Sequence, residues 1–159
     1  MRLCLAGLVA LLALSVLPAS AQTREPRAKE IALIRDCIKA KAGTNDGGES
    51  CMFRLVADPC TTTDFGRSNL GTADCYRIEQ AIWDRILNDN YKQLQDVLED
   101  DEQKTKLREM QRAWIASRDR TCAFYWDKIR GSMAVPMSSA CALRETARRA
   151  LLLAAFSDL

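Results

Sequence analysis

The residues with chemistry to offer are seven cysteines and a cluster of carboxylates, in a chain with no histidine. A cysteine can be a nucleophile, a metal ligand or half of a disulfide. Cys37, Cys51, Cys60, Cys75, Cys122 and Cys141 follow an apolar leader, and an even set in a short exported chain reads as a disulfide framework. Paired cysteines leave no thiolate for catalysis. Without histidine there is no imidazole base and no ordinary zinc site.

Asp100, Asp101 and Glu102 are adjacent, with Lys104 and Lys106 close behind. A general acid needs an apolar pocket or a close like charge to raise its pKa. A solvated acidic turn supplies neither, and oxygen ligands at calcium-loop spacing are missing. The reading is therefore a non-enzyme with no catalytic residue, no metal and no cofactor: a stapled binding or inhibitor domain.

The leader sets the compartment. Met1-Arg2 is a positive start, Leu3 to Leu17 is an apolar run, and Ala19-Ser20-Ala21 is a small-x-small cleavage site. Residues 1–21 read as a signal peptide, with the mature chain starting at Gln22. Cys4 lies at the start of the apolar run, not at its end where lipidation would need it, and leaves with the leader. No second apolar run follows, so no membrane association is expected after cleavage. The compartment is oxidising, periplasmic or secreted.

The chain carries 23 basic and 21 acidic residues. Removing Arg2, the leader's one charge, leaves 22 against 21, or +1. Such a balance gives no field for nucleic acid or an anionic membrane. Aromatic residues are 6% of the chain, too few for a stacking platform.

Helices must position the cysteines. Ile31, Ile34 and Ile38 predict a helix from Pro26 to Lys41. Gly43-Thr44-Asn45-Asp46-Gly47-Gly48 breaks it. A short helix is expected over Cys51 to Ala57, stopped by Asp58-Pro59. Thr61 to Gly71 reads as a loop and Thr72 as the cap of a long helix to Glu99. Its stripe is Cys75, Ile78, Ile82, Leu87, Tyr91, Leu94 and Leu98. A second long helix is expected from the acidic turn to Arg130, with Leu107, Met110, Trp114, Arg118, Thr121, Tyr125 and Ile129 on one face and Gly131 ending it. Ser138 or Ser139 would cap a last helix to Phe156. The expected fold is mostly α. It is a small stapled domain on a long antiparallel helical hairpin, with N- and C-terminal helices added.

Sequential pairing is favoured: Cys37 with Cys51, Cys60 with Cys75, Cys122 with Cys141. Each pair joins a helix to its neighbour across a short span. Cys51 with Cys60 and Cys37 with Cys75 is the alternative for the first four.

Two segments carry a signature. One is Trp83-Asp84-x-x-Leu87-Asn88-x-x-Tyr91-x-x-Leu94. The other is Gln111-x-x-Trp114-x-x-x-Arg118-Asp119-x-x-Cys122. Gly131-Ser132-Met133, Cys141 and Thr146-x-Arg148 follow. In this order they resemble the lysozyme inhibitor LprI-like family of exported bacterial proteins, over roughly Cys60 to Phe156. Residues 22–59 look like an N-terminal extension found in a subset of that family, before a core at 60–156 of the same single domain. Ser117 departs from the pattern, standing where an aromatic residue is common. The resemblance implies a helical periplasmic domain that binds and inhibits lysozyme.

Read by themselves, the signature residues are mainly structural. Asn88 and Gln111 are placed to hydrogen-bond across the hairpin and fix its register. Arg118 can lay its stem on Trp114 and its head on Asp84 or Asp119. Trp83 and Trp114 read as core.

Two functions remain open. An inhibitor could insert a braced loop into a glycosidase cleft, where two carboxyl groups wait. The loops that qualify are Thr61 to Asn69, with Arg67, and Gly131 to Ser139, with Ser132 and Met133. The alternative is a non-catalytic adaptor or structural domain that binds another envelope protein or a ligand through a helix face.

Overall fold

Three helices of 24 to 29 residues carry the molecule, and a short N-terminal region is stapled to the first of them. A computed structural model describes residues 23–159, so the leader read over 1–21 lies outside the described residues. α1 spans Ala28–Lys41. A 3₁₀ turn, Glu49–Cys51, leads to α2, Ala57–Thr61. α3 is Asn69–Val97, α4 is Asp101–Ile129 and α5 is Ala134–Ser157. Among the described residues every regular element is helical, and none of these helices is long and apolar enough to cross a membrane.

The chain runs down α3, back up α4 and down α5. Asn90 on α3 donates to the Ala150 carbonyl on α5 at 2.9 Å, which fixes their parallel register. The closest packing is α3 on α5, with α4 resting on α5. Small residues allow this: Ala147 and Ala150 are fully buried between Leu143 and Leu153. The two long helices do form consecutive antiparallel arms, and Leu94 and Leu107 share the core near their turn. Most of the apolar face of α3, including Ile78, Ile82 and Trp83, is closed by α5 and the N-terminal region.

α4 is held by a narrow seam. Only Leu107 and Cys122 are buried on it, with Gln111, Trp114 and Arg118 half-buried between them and Tyr125 half-buried just beyond. Met110, Thr121 and Ile129, expected on this face, are exposed. The face is turned toward Gln111 and Cys122, because the Cys122 disulfide sets its angle.

Several boundaries differ from expectation. Ser68, not Thr72, caps α3: its Oγ accepts from the Gly71 N–H at 3.0 Å. Residues 52–56 form turns, and the helix begins at Ala57 with Pro59 in its first turn. An N–H is not needed there. α4 ends at Ile129, and its left-handed cap is Arg130, with a φ of +50°, rather than Gly131. α5 starts at Ala134 with no side-chain cap, and Ser139 is buried inside it.

The disulfides follow the sequential pairing. Cys37–Cys51, Cys60–Cys75 and Cys122–Cys141 have Cα separations of 5.9, 5.6 and 5.4 Å. They tie α1 to the 3₁₀ turn, α2 to α3 and α4 to α5. Each closes a loop of a size worth about 3 kcal/mol in the chain-entropy model.

Candidate functional site

The 61–69 loop is built from its own hydroxyls. Thr61, Thr62 and Thr63 each donate to the carbonyl three residues earlier, on Asp58, Pro59 and Cys60, at 2.7 to 2.8 Å. These bonds satisfy carbonyls that a helix end leaves open. Thr72 Oγ1 donates to the Gly66 carbonyl at 2.7 Å. A Cβ at Gly66 would meet the Cys60 carbonyl, and one at Gly71 would meet the Phe65 carbonyl. The loop therefore folds back on itself against the Cys60–Cys75 bridge.

The second loop is a tight turn. The Ala134 N–H donates to the Gly131 carbonyl at 2.9 Å, and the Cys122–Cys141 bridge holds the two helices on either side. The loops meet. Asn69 Nδ2 donates to Ser132 Oγ at 3.0 Å. One end of the bundle thus carries Arg67 and Ser132 together, with Phe65, Leu70 and Met133 as exposed large apolar residues. Arg67 pairs with Asp64 at 3.1 Å, but the two side chains are 72% and 94% exposed. A pair so exposed binds weakly, and the guanidinium stays available to a partner. The Ser132 hydroxyl accepts from Asn69 and keeps its own proton to donate.

The signature residues lie elsewhere. Trp83 is fully buried, and its Nε1–H donates to Glu79 at 3.1 Å. Tyr91 is half-buried, its hydroxyl accepting from Gln95 at 3.2 Å. Trp114 packs against the core with the Arg118 guanidinium 4.9 Å from its ring centre. The head of Arg118 sits on Asp119 Oδ1, through Nε at 2.9 Å and Nη2 at 2.8 Å. Gln111 does bridge between helices, but its partner is Arg149 of α5, whose Nε donates to it at 2.9 Å. Asn88 does not bridge. It is exposed and donates along its own helix to Asp84 at 3.2 Å. Asn90, two residues on, makes the crossing instead. Arg148 is half-exposed and pairs with Glu49 of the extension at 3.4 Å. Asp100 caps α4 by accepting from the Glu102 N–H at 2.8 Å, so the acidic turn has a helix-capping role.

Two buried charges escaped the sequence reading. Glu79 has no exposed surface. It accepts from the Phe53 and Ala57 backbone N–H groups at 2.7 and 2.8 Å, besides Trp83, and so fastens the extension to α3. Phe53 sits there with a φ of +67°. Burial pushes the Glu79 carboxyl above its ordinary value, against the pull of these three donors. Arg149 is buried, lies 5.7 Å from the Trp114 ring centre and keeps one Nη2 without a partner. Its desolvation lowers its pKa. The available signal was a charge inside an apolar stripe, with Glu79 one turn before Trp83.

Compared with known families, residues 60–153 match the family described as Lysozyme inhibitor LprI. No curated protein and no solved structure matches the chain.

Proposed function

This chain belongs to the lysozyme inhibitor LprI family, and we propose that it is an exported inhibitor that blocks a lysozyme with the braced end of its bundle. The observation that carries this reading is the Asn69–Ser132 hydrogen bond, which makes two disulfide-braced loops one surface. A glycosidase of this class works with two carboxyl groups in a cleft. Arg67 offers them a cation and Ser132 a hydroxyl donor, with Phe65, Leu70 and Met133 to exclude water around the contact. Bracing keeps the surface ordered before binding, which lowers the entropy cost of association. The three disulfides and the family support export to the periplasm or beyond.

A second reading is an adaptor that holds another envelope protein. Phe124 with Met110 on one flank of α4, and Trp126 with Ile115 on the other, are exposed; exposed apolar residues of this kind suit a protein partner. A pull-down with the oxidised mature protein against lysozymes and periplasmic extract separates the two. Retention of a lysozyme, lost with Arg67→Ala, supports the inhibitor. Retention of an envelope protein that ignores Arg67→Ala supports the adaptor.

A further inference from the structure

A cleft of about 590 Å³ lies on the seam between the extension and the family core. That volume falls in the range of small-ligand sites. Its apolar wall is Leu55, Val56 and Pro59 from the extension and Phe65 from the 61–69 loop, beside the Cys60–Cys75 bridge. The wall is therefore contributed by both halves of the chain.

The rim carries two arginines, Arg24 and Arg27, and two carboxylates, Glu30 and Asp74. Glu30 is closed by Arg24, through Nη2 at 2.6 Å and Nη1 at 2.9 Å, and by the Arg27 backbone N–H at 2.7 Å. Asp74 is closed by Arg77 at 2.8 Å and by the Thr23 hydroxyl at 3.0 Å. Both carboxylates thus have their cations. The Arg27 guanidinium lends its field to Glu30 but makes no ion pair of its own among the described residues. Arg27 is exposed at the rim of the cleft, which also has the apolar wall. A guanidinium fork matches a carboxylate bidentately.

We infer that this cleft is a binding site for a small monocarboxylate with an apolar body, its carboxylate on Arg27 and its body against Leu55, Val56 and Phe65. A neutral ligand would gain no ion pair from Arg27, which stays hydrated at the exposed rim, and a cationic one would be repelled by it. The site adjoins the surface that carries Arg67 and Ser132 and shares Phe65 with it, and its test reads binding rather than inhibition.

Sodium octanoate is the probe, titrated into the oxidised mature protein and followed by calorimetry and by amide shifts in two-dimensional NMR. Octanol and octylamine are the comparisons. Octanoate should bind saturably and shift the amides of Arg27, Leu55, Val56 and Phe65. Octanol should bind about tenfold more weakly or worse, since a charge-assisted hydrogen bond is lost. Arg27→Gln should weaken octanoate about tenfold and leave octanol unchanged. Arg27→Lys keeps the charge but not the fork, so its octanoate affinity should lie between those of Arg27→Gln and the wild type, including if Arg27→Gln lowers the melting temperature. Equal binding of octanoate and octanol would overturn the inference. So would octanoate binding that Arg27→Gln leaves intact, loss of binding in both variants, or shifts confined to another part of the chain.

Discussion

Asn69 and Ser132, 63 residues apart in the chain, are joined by a 3.0 Å hydrogen bond across the end of the bundle. The bond makes a single surface of two loops that belong to different disulfides. Asn69→Ala cuts this link without emptying the core. It should change stability by less than about 1 kcal/mol, since both groups are exposed. It should still weaken lysozyme inhibition by loosening Ser132 relative to Arg67. Thermal melts and inhibition assays on the same preparation check this; inhibition equal to wild type would mean the loops act separately.

Glu79 offers a sharper stability test. Glu79→Ala removes the acceptor of two backbone N–H groups and one indole N–H. Three buried donors would lose their partner, and we expect a loss of about 3–5 kcal/mol in chemical denaturation. A loss under about 1 kcal/mol would mean water replaces the carboxylate.

The same group gives a pH dependence. Burial raises the folded-state pKa of Glu79 above its ordinary value. The folded chain then holds the proton more tightly than the unfolded chain. The stability this contributes is present below the ordinary carboxyl value and is lost as pH rises through the raised one. The melting temperature should therefore fall more steeply from about pH 4 toward neutrality in the wild type than in Glu79→Gln. Parallel curves would contradict the raised value.

Trp114 is half-buried, with Arg118 and Arg149 both near its ring. Trp114→Ala should cost about 2–4 kcal/mol, somewhat below the usual figure for a fully buried tryptophan. Trp83→Ala, at a site with no exposure, should cost more. The order of the two losses in denaturant is the check, and the reverse order would place Trp114 deeper than Trp83.

How far the sequence revealed this molecule depends on what each residue answers to. The cysteine pairing was readable because each pair spans one local break, so chain proximity and spatial proximity coincide. The helices were readable because their apolar periods are long. Boundaries were not: Ser68 caps α3 because the loop folds Gly71 under the Phe65 carbonyl, a close approach that no spacing reveals. The choice between Asn88 and Asn90 was also hidden. It turns on where α5 lies, and α5 is about forty residues further along the chain. The same holds for Arg148 and Arg149, neighbours of which one faces Glu49 and the other Trp114. The two loops were each legible as braced segments; their meeting at Asn69 and Ser132 was not, since the parallel course of α3 and α5 creates it.

The most direct test of the central claim is the inhibition constant of the oxidised mature protein against a lysozyme acting on cell walls, measured beside Arg67→Ala/Ser132→Ala. The expected inhibition is competitive with substrate. In the double variant it should be weaker by about tenfold or more, with the melting temperature nearly unchanged because both side chains lie on exposed loops. Inhibition of equal strength by the double variant, or none by the wild type against any lysozyme class at micromolar protein, would contradict it.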